Sequence, residues 1–160
     1  MIFSGTYRHT IDGKNRLAVP AQIRREFDRS GIEKLLVGKA QRVKGPNGGG
    51  WHCLQLTPRT IYESAEECRR QAGKITRTSE EFAILDDLFA DVGQMEIDAQ
   101  GRILIPDEFM VRQGMEDGVF GKRILESDVV VCGNGDTIAI WNTADHLEYR
   151  KSRQPMDVAA

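Results

Sequence analysis

Arg16 and Arg102 are the residues whose type and spacing best suit chemistry, because each closes an Asp-x-x-x-Arg pattern that begins at Asp12 or Asp98. A guanidinium group can hold a phosphate, or donate two hydrogen bonds to O6 and N7 of guanine. Aspartate opens tight turns well, because its carboxylate accepts backbone N–H bonds two or three residues later. The pattern predicts an arginine near a hairpin tip that contacts nucleic acid. The alternative is an ion pair that only braces the turn.

The charges around the two arginines separate their expected roles. Residues 1–25 contain five basic residues and one acidic residue, Asp12. Arg102 lies instead near acidic side chains that would repel phosphate, namely Glu96, Asp98, Asp107 and Glu108. We therefore favour nucleic-acid contact for Arg16 and the bracing role for Arg102.

A charge asymmetry extends over the whole chain, although the net charge is only −2. Residues 1–79 contain 15 Lys/Arg and 7 Asp/Glu, whereas residues 80–160 contain 7 Lys/Arg and 17 Asp/Glu. A basic first half can hold phosphates while the chain as a whole stays acidic. Attraction between the unlike halves of neighbouring subunits would explain the same asymmetry without nucleic acid.

The two patterns belong to an internal repeat. Residues 11–20 align with residues 97–106 at an offset of 86, and four of the ten positions are identical. Asn15 and Gly101 hold equivalent places, and both residue types readily adopt a positive φ. Each copy is therefore predicted to form a strand, a tight turn and a short buried strand.

The remaining elements also repeat. Pro20 and Pro106 suit the first turn of a helix, the second of which would end near Gly114. Strands are predicted at residues 35–37, 53–56, 129–131 and 137–140, and helices at residues 57–71, 79–90 and 142–151. This divides the chain into a first repeat (1–78), a linking helix (79–92), a second repeat (93–152) and a tail (153–160). Residues 39–50 have no counterpart and are predicted to form a flexible, solvated loop, whose three positive charges could touch DNA.

Several function classes are not expected. Three cysteines (Cys53, Cys68 and Cys132) without Cys-x-x-Cys spacing argue against a disulfide framework and a metal site, and we expect no cofactor. The sequence contains neither a Gly-rich phosphate loop nor a nucleophile elbow, so we do not expect an enzyme. No apolar run approaches the roughly 20 residues of a membrane span, and the N-terminus lacks a signal-peptide layout. A cytoplasmic protein without a membrane partner is expected.

The repeated hairpin resembles the MraZ family, within the AbrB/MazE swapped-hairpin superfamily. The resemblance rests on residues 9–20 and 96–106 and continues through residues 138–141. It implies an α+β fold, a tandem AbrB-like swapped-hairpin β-barrel with pseudo-twofold symmetry and flanking helices. It also implies a homo-oligomeric ring that is nucleoid-associated, binds promoter repeats in double-stranded DNA and regulates division and cell-wall genes.

The resemblance makes the hairpins the DNA-contacting elements, and together with the local charge it defines a candidate site. The expected DNA-binding residues are Arg16, Lys14, Arg8, Asn15, Arg24 and Arg102. Asp12, Asp98 and Gly101 are expected to brace the turns. One rival function is a MazE-type antitoxin, against which the short tail of about seven residues argues. The other is a ring scaffold that opposite charges hold together without DNA.

Overall fold

The structure is a computed structural model, and it describes residues 1–46, 48–64, 92–111 and 124–153. A six-stranded antiparallel sheet and a two-stranded ribbon enclose the core between them. The strands are β1 (Thr6–Thr10), β2 (Arg16–Ala18), β3 (Leu35–Lys44), β4 (Gly50–Pro58), β5 (Val92–Glu96), β6 (Arg102–Leu104), β7 (Asp128–Asn134) and β8 (Thr137–Asn142). The helices are α1 (Ala21–Ser30) and α2 (Thr143–Arg153), with helical residues at 59–64 and a 3-10 turn at Asp107–Phe109.

The six-stranded sheet interleaves strands from the two copies of the repeat. Its order is β1-β7-β8-β4-β3-β5, with every neighbouring pair antiparallel. β1 from the first copy therefore pairs with β7 from the second, and β5 from the second copy pairs with β3 from the first. The order is symmetric: reading from the β5 edge and replacing each strand by its counterpart in the other copy gives the same order as reading from the β1 edge.

The second strands of the two hairpins leave the sheet and pair with each other. β2 and β6 form an antiparallel ribbon in which Leu17 lies opposite Ile103. Two further backbone bonds extend this ribbon, from Val19 N to the Gly101 oxygen (2.9 Å) and from Ile105 N to the Asn15 oxygen (2.8 Å). Each hairpin turn is thereby bonded to the strand that follows the other turn.

Matching positions of the two copies fill a single core. One buried cluster contains the apolar residues that flank each turn and follow each proline: Ile11 and Ile97, Leu17 and Ile103, Val19 and Ile105, Ile23 and Phe109. Burial of each side chain of this size stabilises the fold by about 1.5–3 kcal/mol. A smaller cluster lies on the other face of the sheet, where the ring of Tyr149 in α2 stacks on Trp141 at 4.7 Å.

Three sequence predictions about the fold are wrong. The sheet does not close into a barrel, because in the described residues β1 and β5 are its edge strands. The helix predicted to begin at Pro106 is only a 3-10 turn in the described residues, because the chain becomes extended at Met110 and forms a bridge with Leu125. Residues 39–50 are not all loop, because β3 continues to Lys44 and β4 starts at Gly50.

Other predictions agree with the described residues or lie outside them. The final helix occupies Thr143–Arg153, close to the predicted 142–151. The helix predicted from residue 57 starts two residues later, because β4 extends to Pro58. The predicted linking helix at 79–90 and the tail beyond residue 153 lie outside the described ranges. None of the helices in these ranges has the length and apolar character that crossing a bilayer requires.

The ribbon should depend on its inward face for stability. Leu17 is 1% exposed and Leu104 is 61% exposed, so the same residue type faces the core in one strand and solvent in the other. We expect Leu17→Ala to lower the free energy of unfolding by about 2–5 kcal/mol. The matched control, Leu104→Ala, should change it by about 0.5 kcal/mol or less. Urea unfolding followed by circular dichroism measures both values, and equal losses would contradict the described packing.

Candidate nucleic-acid interface

The first hairpin turn is held by the Asp12 carboxylate. Its Oδ1 atom accepts the backbone N–H of Lys14 at 2.9 Å and that of Arg16 at 2.8 Å. The N–H of Asn15 donates to the Asp12 carbonyl at 3.0 Å, and Asn15 has a φ of 62°. An asparagine tolerates this left-handed conformation better than most residues, which explains its place before the arginine.

The second turn repeats the same bonds. The Asp98 Oδ1 atom accepts the N–H of Gln100 at 2.8 Å and that of Arg102 at 2.9 Å. Gly101 donates to the Asp98 carbonyl at 3.0 Å and has a φ of 76°. The two turns therefore have one geometry, although they share only part of their sequence.

Hydrogen bonding lowers the pKa of both turn aspartates. For Asp12 the largest cause is the backbone N–H of Arg16, and for Asp98 it is the backbone N–H of Arg102. The positive charge of Arg16 also contributes to lowering the pKa of Asp98. The charge of Arg16 therefore acts on the carboxylate that holds the second turn.

The ribbon presents both arginines on one face. Arg16 lies opposite Leu104, and Arg102 lies opposite Ala18. Side chains that face each other across an antiparallel pair lie on the same side of it, and alternate residues share a face. Because Leu17 and Ile103 point into the core, the two arginines stand diagonally on the outward face.

The ion pair of Arg16 leaves part of its guanidinium available. Its Nε atom donates to Asp12 Oδ2 at 2.8 Å, while the terminal nitrogens form no hydrogen bond with any described residue. The side chain is 36% exposed. Bracing and contact are therefore compatible roles, because the aspartate can orient a guanidinium whose outer edge remains available to a ligand.

Arg102 is placed similarly but is less tightly paired. Its Nε atom lies 3.9 Å from Asp98 Oδ2, is buried and has no hydrogen-bond partner. Its Nη2 atom donates to the side-chain oxygen of Gln100. This guanidinium is not held by its aspartate as firmly as that of Arg16.

Arg24 reaches from the first copy to the second turn. Its Nε atom donates to the Val19 carbonyl at 3.1 Å. Its Nη1 atom lies beside Gly101, where an added Cβ would be 2.5 Å away. A cation that follows the first hairpin in sequence thus sits over the second one. This partly offsets the acidic residues around Arg102, which sequence proximity alone did not indicate.

The other predicted contact residues differ in availability. Lys14 is exposed on the first turn. Arg8 donates two bonds to Asp128, at 3.1 and 2.8 Å, across the edge pair of β1 and β7. Asn15 is 9% exposed, and its amide donates to Asp107 Oδ1 at 3.3 Å. Arg8 and Asn15 therefore already take part in bonds within the fold.

Sequence reasoning missed Leu104 as a residue of this surface. The apolar run of residues 103–105 suggested a fully buried strand, yet Leu104 points outward beside Arg16. The small Ala18 at the matching position of the first copy was the available signal, because a buried position would favour a larger side chain.

The cysteines and histidines of the described residues form no comparable site. Burial raises the pKa of the Cys53 thiol to about 12, and the nearby Cys132 adds to the rise, so this thiol stays protonated. The described residues contain no group of three or more His, Cys, Asp or Glu side chains that could hold a metal ion.

The chain is similar to proteins of one family. A model of the MraZ protein family, which is described as antitoxin-like, matches residues 88–160. A protein of Desulfitobacterium hafniense named transcriptional regulator MraZ is 32% identical over 159 residues, covering 99% of this chain and 92% of that protein. A protein of the same name from Carboxydothermus hydrogenoformans is 30% identical over 141 residues, covering 88% of this chain and 81% of that protein. The chain belongs to the MraZ family.

The stability of this MraZ chain should depend on pH through the two turn aspartates. Their pKa values are lowered in the fold, so they stabilise it above the ordinary carboxyl pKa of about 3.9. This contribution is lost as the pH falls through the lower folded-state pKa. We expect Asp12→Asn/Asp98→Asn to reduce the melting temperature at pH 7, and the gap from the parent protein to shrink as the pH falls below about 3.9. The control, Asp136→Asn in the exposed turn between β7 and β8, should show no such gap. A gap that persists unchanged in acid would contradict the assignment.

Gly101 should be hard to replace, in contrast to Gly13. An alanine at Gly101 would adopt a strained left-handed conformation and push Arg24 away. The expected loss of unfolding free energy is about 1–2 kcal/mol. Gly13→Ala, in the matching hairpin, meets no atom within 4 Å and should cost about 0.5 kcal/mol or less. Urea unfolding of both variants measures the difference, and similar losses would show that the left-handed turn is not required.

Proposed function

We propose that this protein is a sequence-specific DNA-binding regulator of transcription that reads duplex DNA with the outward face of the β2–β6 ribbon. The observation that carries the proposal is the pair of arginines on that face. Arg16 keeps its terminal nitrogens available while Asp12 holds its Nε atom. This geometry suits a donor that must enter DNA in a defined orientation.

The shape of the ribbon supports this role. Two-stranded antiparallel ribbons fit the major groove of B-DNA, where arginine can donate two bonds to guanine. Leu104 lies opposite Arg16 and offers an exposed apolar side chain. Apolar contact with the methyl group of thymine is a second means of reading sequence in this groove. We therefore propose Arg16, Arg102 and Leu104 as the reading residues.

Cations beside the ribbon support binding to the DNA backbone. Lys14 is exposed on the first turn, and Arg24 lies over the second. We assign both to phosphate contacts, which position a protein on the duplex but carry little sequence information. Arg8 and Asn15, which bond within the fold, would contribute to this surface indirectly.

The relatives support the regulatory part of the proposal, because those matched over most of the chain are named transcriptional regulators. We further propose the finer properties that the family resemblance implies: an AbrB-like swapped-hairpin arrangement, a homo-oligomeric ring, promoter repeats as targets, control of division and cell-wall genes, and association with the nucleoid. One ribbon with few contacts should bind weakly, whereas several ribbons in one assembly would raise the avidity.

The description of the family as antitoxin-like supports one competing function, an antitoxin that uses the same ribbon on DNA and also binds a toxin. A scaffold held by opposite charges is the second competitor. In our proposal the ribbon must bind DNA, whereas a scaffold would not require the ribbon to bind DNA. Binding of duplex DNA therefore separates the scaffold from the other two functions.

Arg16→Ala and Arg102→Ala test the proposal. Each should reduce the discrimination between the protein's own upstream DNA and a scrambled duplex by about 1–3 kcal/mol, because a base-contacting guanidinium is removed. Fluorescence anisotropy at a fixed salt concentration measures both affinities. Light scattering on the same samples should give an unchanged assembly size.

Arg29→Ala serves as the matched control, because Arg29 is also an exposed, ion-paired arginine but lies in the last turn of α1. It should bind both duplexes as the parent protein does. Normal discrimination by Arg16→Ala would overturn the assignment of the first hairpin. A parent protein that binds no duplex even at low salt would favour the scaffold.

A further inference from the structure

The β3–β4 hairpin extends beyond its neighbours in the sheet. β5 pairs with β3 only as far as Lys39, and β8 pairs with β4 only from Leu54 onward. Between Ala40 and Cys53 the two strands pair with each other alone, within the part of the chain that the structure describes. We call residues 40–53 the arm; residue 47, at its tip, is not described.

The two faces of the arm differ in chemistry. One face carries Val43 and Trp51, which pack against the sheet cluster beneath α2, and the Trp51 indole N–H donates to Glu148 at 3.0 Å. The other face carries Arg42 opposite His52, and Lys44 opposite Gly50. The first face fixes the arm to the body of the protein, so that the second face is held in place.

The second face is cationic and unpaired. Arg42, Lys44 and His52 are exposed, and none of them forms an ion pair with a described residue. No aspartate or glutamate occurs in the sequence between Glu33 and Glu63. A positive face whose side chains form no ion pair with the described residues favours an anionic partner.

The cationic face of the arm lies on the same side of the sheet as the ribbon. Alternate residues of a strand share a face, so His52 lies on the side of Leu54 and Leu56. Both leucines belong to the core cluster that the ribbon covers. β1 and β3 run in the same direction, because four antiparallel steps separate them. The turn that follows β1 and the tip of the arm therefore lie at the same end of the sheet.

From these observations we infer that the arm is a second DNA contact, at which Arg42 and Lys44 hold backbone phosphates beside the segment that the ribbon reads. The inference rests on the proposed function of the ribbon. Four strand spacings separate β1 from β3, which is about 19 Å. At about 3.4 Å per base pair this is about six base pairs. The arm would thus hold phosphates about half a helical turn from the DNA beside the turn that follows β1.

The double variant Arg42→Gln/Lys44→Gln tests the inference on the full-length protein. Loss of two phosphate contacts should reduce the steepness of log K against log salt concentration by about 1.8 for each subunit that contacts the duplex, because each contact contributes about 0.9. Affinity should fall for the upstream duplex and the scrambled duplex alike, so the discrimination between them stays unchanged. Hydroxyl-radical footprinting should show protection lost on one flank of the site.

The matched control is Lys34→Gln/Lys39→Gln, which removes the same charge outside the cationic face. Lys34 pairs with Asp28, and Lys39 lies on the face of β3 that carries Val43. The control should keep the salt dependence and the footprint of the parent protein. Equal effects of the two double variants would overturn the arm contact, since net charge alone would then explain them.

The outcome for the arm is distinguishable from the outcome for the ribbon. If Arg16→Ala loses discrimination while the arm variant matches its control, the ribbon proposal stands and the arm inference fails. If only the arm variant loses binding, the arm is a DNA contact and the ribbon proposal fails. A changed assembly size in light scattering, with DNA binding unaltered, would assign the arm to contact between copies of the chain and overturn the inference.

Discussion

The pairing of β2 with β6 is the constraint on which the rest of the structure depends. These strands are three residues each and lie 86 positions apart in the chain, yet each is the only neighbour of the other in the ribbon. Leu17 and Ile103 stand opposite each other and reach into one core. So short a pair would be unstable by itself in water, because too little apolar surface is buried. The core beneath it therefore holds the ribbon, and the ribbon in turn closes the core.

This constraint joins the stability of the fold to the function we propose, through opposite faces of the same six residues. The inward side chains supply the apolar burial, while the outward ones, led by Arg16 and Arg102, remain available for a ligand. Since the turns are held by Asp12 and Asp98 through backbone bonds, the backbone position of each arginine is set by its own turn. A rigid support of this kind reduces the entropy lost when a side chain binds.

The two copies of the repeat are alike in backbone and unlike in charge. Both turns have the same bonds, but the first lies in a basic segment and the second among carboxylates. Arg24 crosses between the copies and places a cation beside Gly101. The arm adds a further difference, because only the first copy carries it. A duplex would therefore meet a surface whose scaffold is nearly symmetric and whose charges are not.

The sequence by itself determined the two turns, since a turn depends on bonds within about five residues. The Asp-x-x-x-Arg spacing and a residue tolerant of positive φ, Asn15 or Gly101, were sufficient to predict both turns. The family was also recognisable from these motifs. Only the tertiary structure decided that Arg16 and Arg102 share one face, that Leu104 points outward and that the arm is a paired ribbon and not a loop. These features depend on which distant strands meet, and that choice is made by burial of the whole core and not by any local segment.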